Sequence, residues 1–464
     1  MKIRSTAIVL TAVGATALVL SGCTSGGDSS ESGDAESITF WVQEDLPDRV
    51  AATEAIVASF EQESGVDVEV VSVAEDQFSQ LITSSAAAGD LPDVIGGISL
   101  PQVRTLSANE LIDTDAVGAV IDSLDASTFS EKALELTADG DTQLAVPSES
   151  WLQMLFYRTD LFEAAGLEAP DTYDKMLEAA EALNSPEVAG FVGATAPGDA
   201  FTEQTFEQVA LGNDCQLVNS DGDIELDSEA CVGALQFYGD LTTNYSVPGA
   251  QDVDTTRATY FAGEAAMFIW SSFVLDEMAG LREDAKPTCP ECAADPAFLA
   301  QNSGVVTSIA GPDNDGPAQF GEITSWTITD GANAEASQQF IEYMMSDGYQ
   351  DWIAIAPEGK VPVRFGTTDS PTEYSDLWAT LPAGVDTKAP LSDFYSAEVL
   401  DAVAAGPEDI ARWAIPQGQG DLLGALQGEQ PVAEAVSDVA QGGDAEQAAQ
   451  TAAEAARSVQ ESLQ

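Results

Sequence analysis

The chain contains no histidine among its 464 residues. That removes imidazole from every proposal, so Ser-His-Asp hydrolysis and histidine-bearing zinc or iron sites are excluded. Basic residues are scarce as well, 15 against 79 acidic, for a net charge of -64. A surface that acidic repels phosphate and anionic headgroups, so no nucleic-acid partner is expected. The plain reading of the charge is solubility, suited to a salt-rich medium. Beyond the N-terminus no apolar run reaches the length of a membrane-crossing helix. No strict internal repeat is present. Cysteine is rare too, with five in all.

What is present begins with an address. Lys2 and Arg4 precede an apolar stretch from Ala7 to Leu20. It is too short to span a bilayer comfortably but of the right length for a signal-peptide core. It ends in Leu20-Ser21-Gly22-Cys23, which resembles a bacterial lipobox. Residues 1–22 are therefore expected to be a lipoprotein signal peptide and Cys23 the lipidated residue. Thr24 to Glu36 holds only small, polar and acidic residues, and 23–36 is read as a flexible tether. The expected location is the extracytoplasmic face of the cell membrane, held by a lipid anchor. Four cysteines remain, Cys215, Cys231, Cys289 and Cys292. In an exported chain they read as two disulfides, and three connectivities are open. Local pairing, 215 with 231 and 289 with 292, is the expectation. A redox dithiol at Cys289-Pro290-Glu291-Cys292 lacks a thioredoxin-like context, and a zinc site lacks a second close pair.

The folded body opens with a β-prone run, Ile38 to Val42, then a helical pattern through Val50, Ala55, Ile56 and Phe60 that Gly65 stops. Val66 to Val73 alternates as a second strand, Phe78 to Ala88 reads as a helix, and Leu91 to Ile95 leads into a third strand. Such alternation predicts a parallel sheet covered on both faces, with ligands in the crevice beyond the strands' carboxyl ends. Further on, Leu155-Phe156-Tyr157 is β-like and Asp160 is read as the cap of a helix over Leu161 to Ala165. Another helix starts at Asp171-Thr172-Tyr173 and runs to Asn184, Asn219 to Asp223 marks a hairpin, and Ala433 to Leu463 is alanine-rich and helical.

At this point the chain resembles a known family, the extracellular solute-binding proteins of ABC importers, in the group typified by maltose-binding protein. The matching segments are Ile38-Thr39-Phe40-Trp41, Phe60 to Val70, Ala86 to Val94, and Val146-Pro147 followed by Leu155 to Leu167. Phe261 to Met267, Phe340 to Ser346 and Lys360 to Arg364 complete them. Each is weak alone; their order behind a lipobox is specific. The resemblance implies an α/β, two-lobed periplasmic-binding-protein fold (type II, Venus-flytrap), each lobe a mainly parallel sheet flanked by helices. By position, one lobe holds 37–147 with 325–363 and the other 148–324 with 364–464. Crossings are expected at 145–150, 321–325 and 362–365. The chain is then no enzyme and needs no cofactor or metal. It would capture a carbohydrate, mono- or oligosaccharide, by hinge closure, working as a monomer with the transmembrane subunits of an ABC permease. A polyamine or other non-sugar solute in the same fold is the alternative, and a surface glycoside hydrolase a more distant one.

Sugars offer apolar ring faces to aromatics and hydroxyls to paired donors and acceptors. The candidate ligand contacts follow from that chemistry at the crevice loops. They are Gln43 and Glu44 after the first strand, Ser99 after the third, and Glu149 and Trp151 at the first crossing. Trp270 and Ser271 follow the Phe261–Met267 segment, Glu322 marks the second crossing, and Trp413 comes late in the chain. At Glu322-Ile323-Thr324 the chain departs from the family pattern, where small residues are more usual.

Overall fold

A computed structural model describes residues 36–44 and 46–463. The signal segment at 1–22, Cys23 and residues 24–35 lie outside them. Strand β1 (Ser37–Val42) is followed by α1 (Pro47–Ser64), β2 (Asp67–Ser72), α2 (Glu75–Ala88), β3 (Val94–Ile98) and α3 (Leu100–Ala108). Proline at the head of α1 presets the helical φ, and Gly65 ends it in the left-handed conformation at φ 77°. β1 lies parallel between β2 and β3, with Phe40 opposite both Val70 and Val94. The two-residue period sends Ile38, Phe40 and Val42 to one face of the sheet. Trp41 and Ile95 go to the other, with Phe78 and Val103. Both faces are covered, so the strands read as near-continuous apolar runs.

Strand β4 (Val146–Arg158) then spans 13 residues, roughly 40 Å at the usual rise per residue. Helices α4 (Thr159–Ala165), α5 (Tyr173–Leu183), α6 (Ala200–Gly212) and α7 (Glu229–Asn244) follow. The other strands of the main sheet are β5 (Met267–Ser271), β6 (Ser303–Val306), β7 (Gln319–Ile328), β8 (Val361–Pro362) and β9 (Ile410–Ala411). The chain closes with α8 (Gly420–Leu426), α9 (Pro431–Ala440) and α10 (Ala445–Ser462).

β4 joins the two lobes. From Val146 to Leu152 it pairs antiparallel with β7, whose far end pairs with β3. From Gln153 to Arg158 it pairs instead with β5 and β6. β7 also runs through the junction, since Gln319 and Phe320 pair parallel with β9. Pro147 has no N–H for the ladder, and the register of β4 on β7 shifts between Pro147 and Glu149. Beside this seam Gly96 is required for packing: a Cβ there would sit 2.8 Å from Trp326, which stacks on Phe40 with ring centres 5.0 Å apart.

The second lobe has a separate helical core. Phe206, Leu235, Tyr238 and Val436 meet the apolar face of α10, built from Ala445, Ala448, Ala449, Ala452, Ala453 and Ala456. Small side chains at helical spacing let α10 lie close to its neighbours. The disulfides pair locally, Cys215 with Cys231 and Cys289 with Cys292. Three sequence expectations change. The short strand at Leu155–Tyr157 is the end of β4. The C-terminal helix is two helices, broken at Gln441-Gly442-Gly443, where Gly442 has φ 88°. Asp160 does not cap α4; it lies in the first turn and pairs with Arg158 at 2.6 Å.

Candidate functional site

A cavity of about 1070 Å³ lies where β4 and β7 pass between the lobes. Gln43 and Glu44 reach it from the end of β1, Arg49 from α1, and Ser99 and Gln102 from the start of α3. The crossing strands supply Glu149 and Trp151 from β4 and Glu322 and Thr324 from β7. The opposite wall is formed by Glu203 and Glu207 on α6, Arg412 after β9, and Gln430 before α9. Lys360, just ahead of β8, completes the floor. The crevice beyond the carboxyl ends of β1 and β3 is thus part of the cavity.

Two buried ionic webs hold the wall. In the first, Lys360 Nζ lies 3.0 Å from Glu44 Oε1 and 3.1 Å from Glu149 Oε1, and over the Trp352 ring at 3.9 Å. Trp352 Nε1 donates to the other Glu149 oxygen at 2.8 Å. Arg49 lies 3.6 Å from both Glu44 and Glu358. Burial pushes the Glu44 carboxyl up, but Lys360 and Arg49 outweigh it and hold the group below its ordinary value. Burial likewise opposes the charge on Lys360, and Glu149 and Glu44 overcome it, so its pKa is raised.

The second web is centred on Arg412, whose guanidinium lies 2.7 Å from Glu322 Oε2 and 3.3 Å from Glu207 Oε1. Glu322 Oε1 accepts from the Leu100 N–H at 2.8 Å, so one carboxylate links the start of α3 to the far wall. Despite the cost of burial, Glu322 and Glu207 raise the pKa of Arg412. Glu207 is itself raised by burial, with Arg412 opposing. Fixed charges of this kind are oriented before a ligand arrives and cannot swing away from it.

Six of the nine expected contact residues meet at this cavity: Gln43, Glu44, Ser99, Glu149, Trp151 and Glu322. Trp151 is half-buried, with its ring 5.9 Å from Phe320. The other three lie away from it. Trp270 is packed between Phe201 and Arg257, and its Nε1 donates to the Val253 carbonyl at 3.0 Å. Ser271 is buried in the β4–β5 ladder opposite Gln153. Trp413 is only 1 % exposed, in the helical core, donating to the Cys215 carbonyl at 2.8 Å. Its neighbour Arg412 takes the cavity position, because successive side chains of an extended segment point opposite ways. Sequence reasoning missed Arg49, Glu203, Glu207, Lys360 and Arg412. The signal for the bases was their scarcity: with 15 in the chain, a buried one needs a partner and hence a purpose.

The two-lobed α/β architecture, its crossing strands and its interlobe cavity define a solute-binding protein. The sequence model described as bacterial extracellular solute-binding protein matches residues 43–351. The ABC transporter periplasmic-binding protein YcjN of Escherichia coli (strain K12) is 30 % identical over 370 residues, spanning 78 % of this chain and 80 % of its own. The chain belongs to the bacterial extracellular solute-binding protein family, whose members bind small-molecule solutes and work with ABC permeases and are not enzymes. The hydrolase alternative is thereby set aside. The fold is shared with the GacH receptor of Streptomyces glaucescens, at TM-score 0.69 and 19 % identity over 92 % of this chain and 98 % of that one. It is shared equally with T. maritima MalE3 in its maltose-bound structure, at TM-score 0.68 and 17 % identity, covering 91 % and 99 %. A solute-binding protein of Agrobacterium radiobacter K84 in complex with ribitol gives TM-score 0.65 and 20 % identity, covering 92 % and 99 %.

Proposed function

We propose that this protein captures a carbohydrate, mono- or oligosaccharide, in the cavity between its lobes and delivers it to the transmembrane subunits of an ABC permease. The observation that carries the reading is Trp151, opposite Glu322 in the ladder and two residues after Glu149, with all three lining the cavity. An aromatic face for the sugar ring lies beside carboxylates whose positions ion pairs already fix. A volume of about 1070 Å³ has room for more than one sugar ring. Maltose and ribitol, bound by two of the structural relatives, are polyhydroxylated in the same sense.

Capture proceeds by hinge closure, with bending at the register shift of β4 between Pro147 and Glu149 and where β7 runs between β9 and β3. The lobes so hinged are 37–147 with 325–363 and 148–324 with 364–464. The receptor works as a monomer on the extracytoplasmic face of the membrane, tethered through lipid on Cys23 and fed by diffusion. The lipobox-like Leu20-Ser21-Gly22-Cys23 supports the anchor.

Differential scanning fluorimetry of the purified protein against a panel of mono- and oligosaccharides tests the reading. A ligand at about 100 times its Kd stabilises the native state by about 2.7 kcal/mol. A melting shift confined to one sugar class is expected. A flat response across the whole panel refutes the carbohydrate reading.

A further inference from the structure

The three bases of the cavity wall are all committed. Arg49 is held by Glu44 and Glu358, Lys360 by Glu44 and Glu149, and Arg412 by Glu207 and Glu322. Glu203, one helical turn before Glu207 on α6, stands outside both webs. It lines the cavity, is 6 % exposed, and its Oε2 is buried with no hydrogen-bond partner. The charged groups that act on it are Glu207 on its own helix and Arg412 from the segment after β9. Burial first, and Glu207 second, push its carboxyl up to about 8 against the pull of Arg412. Gln430 lines the same wall, and its amide oxygen likewise has no partner.

An unpaired buried acid is costly, and a glutamine would fill the same space without that cost. The corner offers unmet acceptors and, once Glu203 ionises, a negative charge, and the bases of the wall are already paired. A sugar hydroxyl would satisfy the hydrogen bond but give the carboxyl no opposite charge against which to ionise. A protonated amine supplies both, in a cleft where closure strengthens the ion pair by excluding water.

We infer that Glu203 is the specificity-determining carboxylate of this cleft and that the solute is an amino sugar whose ammonium group pairs with it. The inference rests on the sugar-receptor reading and narrows it. The ring face of the same ligand meets Trp151 and its hydroxyls meet the neighbouring carboxylates, which distinguishes an amino sugar from a bare polyamine.

The test is isothermal titration calorimetry on the wild type and on Glu203→Gln. The ligands are glucosamine, galactosamine and chitosan oligosaccharides, their N-acetylated counterparts, the uncharged parent sugars, and spermidine. Free-amine sugars are expected to bind the wild type roughly tenfold or more tighter than their acetylated forms. Glu203→Gln should erase that difference while leaving the circular dichroism of the empty protein unchanged. Because Glu203 must ionise to form the pair, amine binding near pH 7 should also release a proton, read as a dependence of the heat on buffer ionisation. Uncharged or acetylated sugars binding as tightly as amines, with Glu203→Gln without effect, would overturn the amino-sugar inference and leave the sugar receptor standing. Spermidine as sole ligand, or no response to any sugar, would overturn both.

Discussion

Replacing Lys360 with methionine keeps most of the side chain's bulk and removes only its charge. The ammonium it deletes is 3.0 Å from Glu44 and 3.1 Å from Glu149, and the residue is 5 % exposed. Glu149 would keep the Trp352 indole at 2.8 Å, and Glu44 would keep Arg49 at 3.6 Å. Neither remaining contact replaces a buried counter-charge. Breaking such a web by removing one partner costs about 3–5 kcal/mol. Spread over the unfolding entropy of a chain this long, at about 2.1 cal/mol/K per residue, that is a melting shift of roughly 3–6 °C.

The pH dependence separates charge from packing. Glu44 is held below its ordinary value of 4.5, so its contribution is present above that value and is lost as the pH falls through the lowered one. Lys360 is held above 10.5, so its contribution is present below that value and is lost as the pH rises through the raised one. The web is therefore at full strength between about 4.5 and 10.5. Calorimetric melting of wild type and Lys360→Met from pH 3 to pH 9 should show a large gap at pH 7.5 that narrows in acid. A second substitution, Glu149→Gln, should recover part of the loss at pH 7.5. An equal gap at pH 3 and pH 7.5 would mean that lost packing, not charge, sets the stability here, and no gap at either pH would refute the web altogether.

Gly424→Ala places a Cβ 2.8 Å from the Thr105 hydroxyl and 2.9 Å from the Pro101 carbonyl, so α8 must move away from α3. Small-angle scattering of the empty protein should then give a larger radius of gyration, and an unchanged value would show that the contact tolerates a methyl group. Cys215→Ser with Cys231→Ser opens a loop of sequence separation 16 and should lower stability by about 3 kcal/mol in urea unfolding. Trp151→Ala should weaken sugar binding by about 2 kcal/mol or more in titration calorimetry, whereas Trp413→Phe should lower the melting temperature and leave affinity intact. Equal losses of affinity in the two variants would contradict the placement of Trp151 on the wall and Trp413 in the core.

The local alternation of strand and helix was legible because its signals are short-range. Ile38 to Val42, the glycine stop at Gly65 and the helix start at Asp171-Thr172-Tyr173 each act within a few residues. β4 was legible only at its apolar end. Its first residues, Val-Pro-Ser-Glu-Ser, are largely polar and yet buried, because those side chains serve the seam between the lobes and the cavity wall. Polar residues in a strand are a solvent signal locally, and for Glu149 only the distant partners Lys360 and Trp352 explain the burial.

The sequence by itself determined the strand–helix order from β1 to β3, and its expectation of locally paired cysteines, one of three open connectivities, agrees with the disulfides. It also brought Gln43, Glu44 and Ser99 to the crevice, since each follows directly from a strand end. The tertiary structure decided which tryptophan faces the cavity, because Trp151, Trp270 and Trp413 differ only in the side of a strand or segment they occupy. It also decided the charge pattern of the wall. Glu207, Glu322 and Arg412 are joined across separations of 90 and 205 residues. No local rule registers a partner that far away, and whether a buried acid is paired, like Glu322, or bare, like Glu203, depends entirely on that partner.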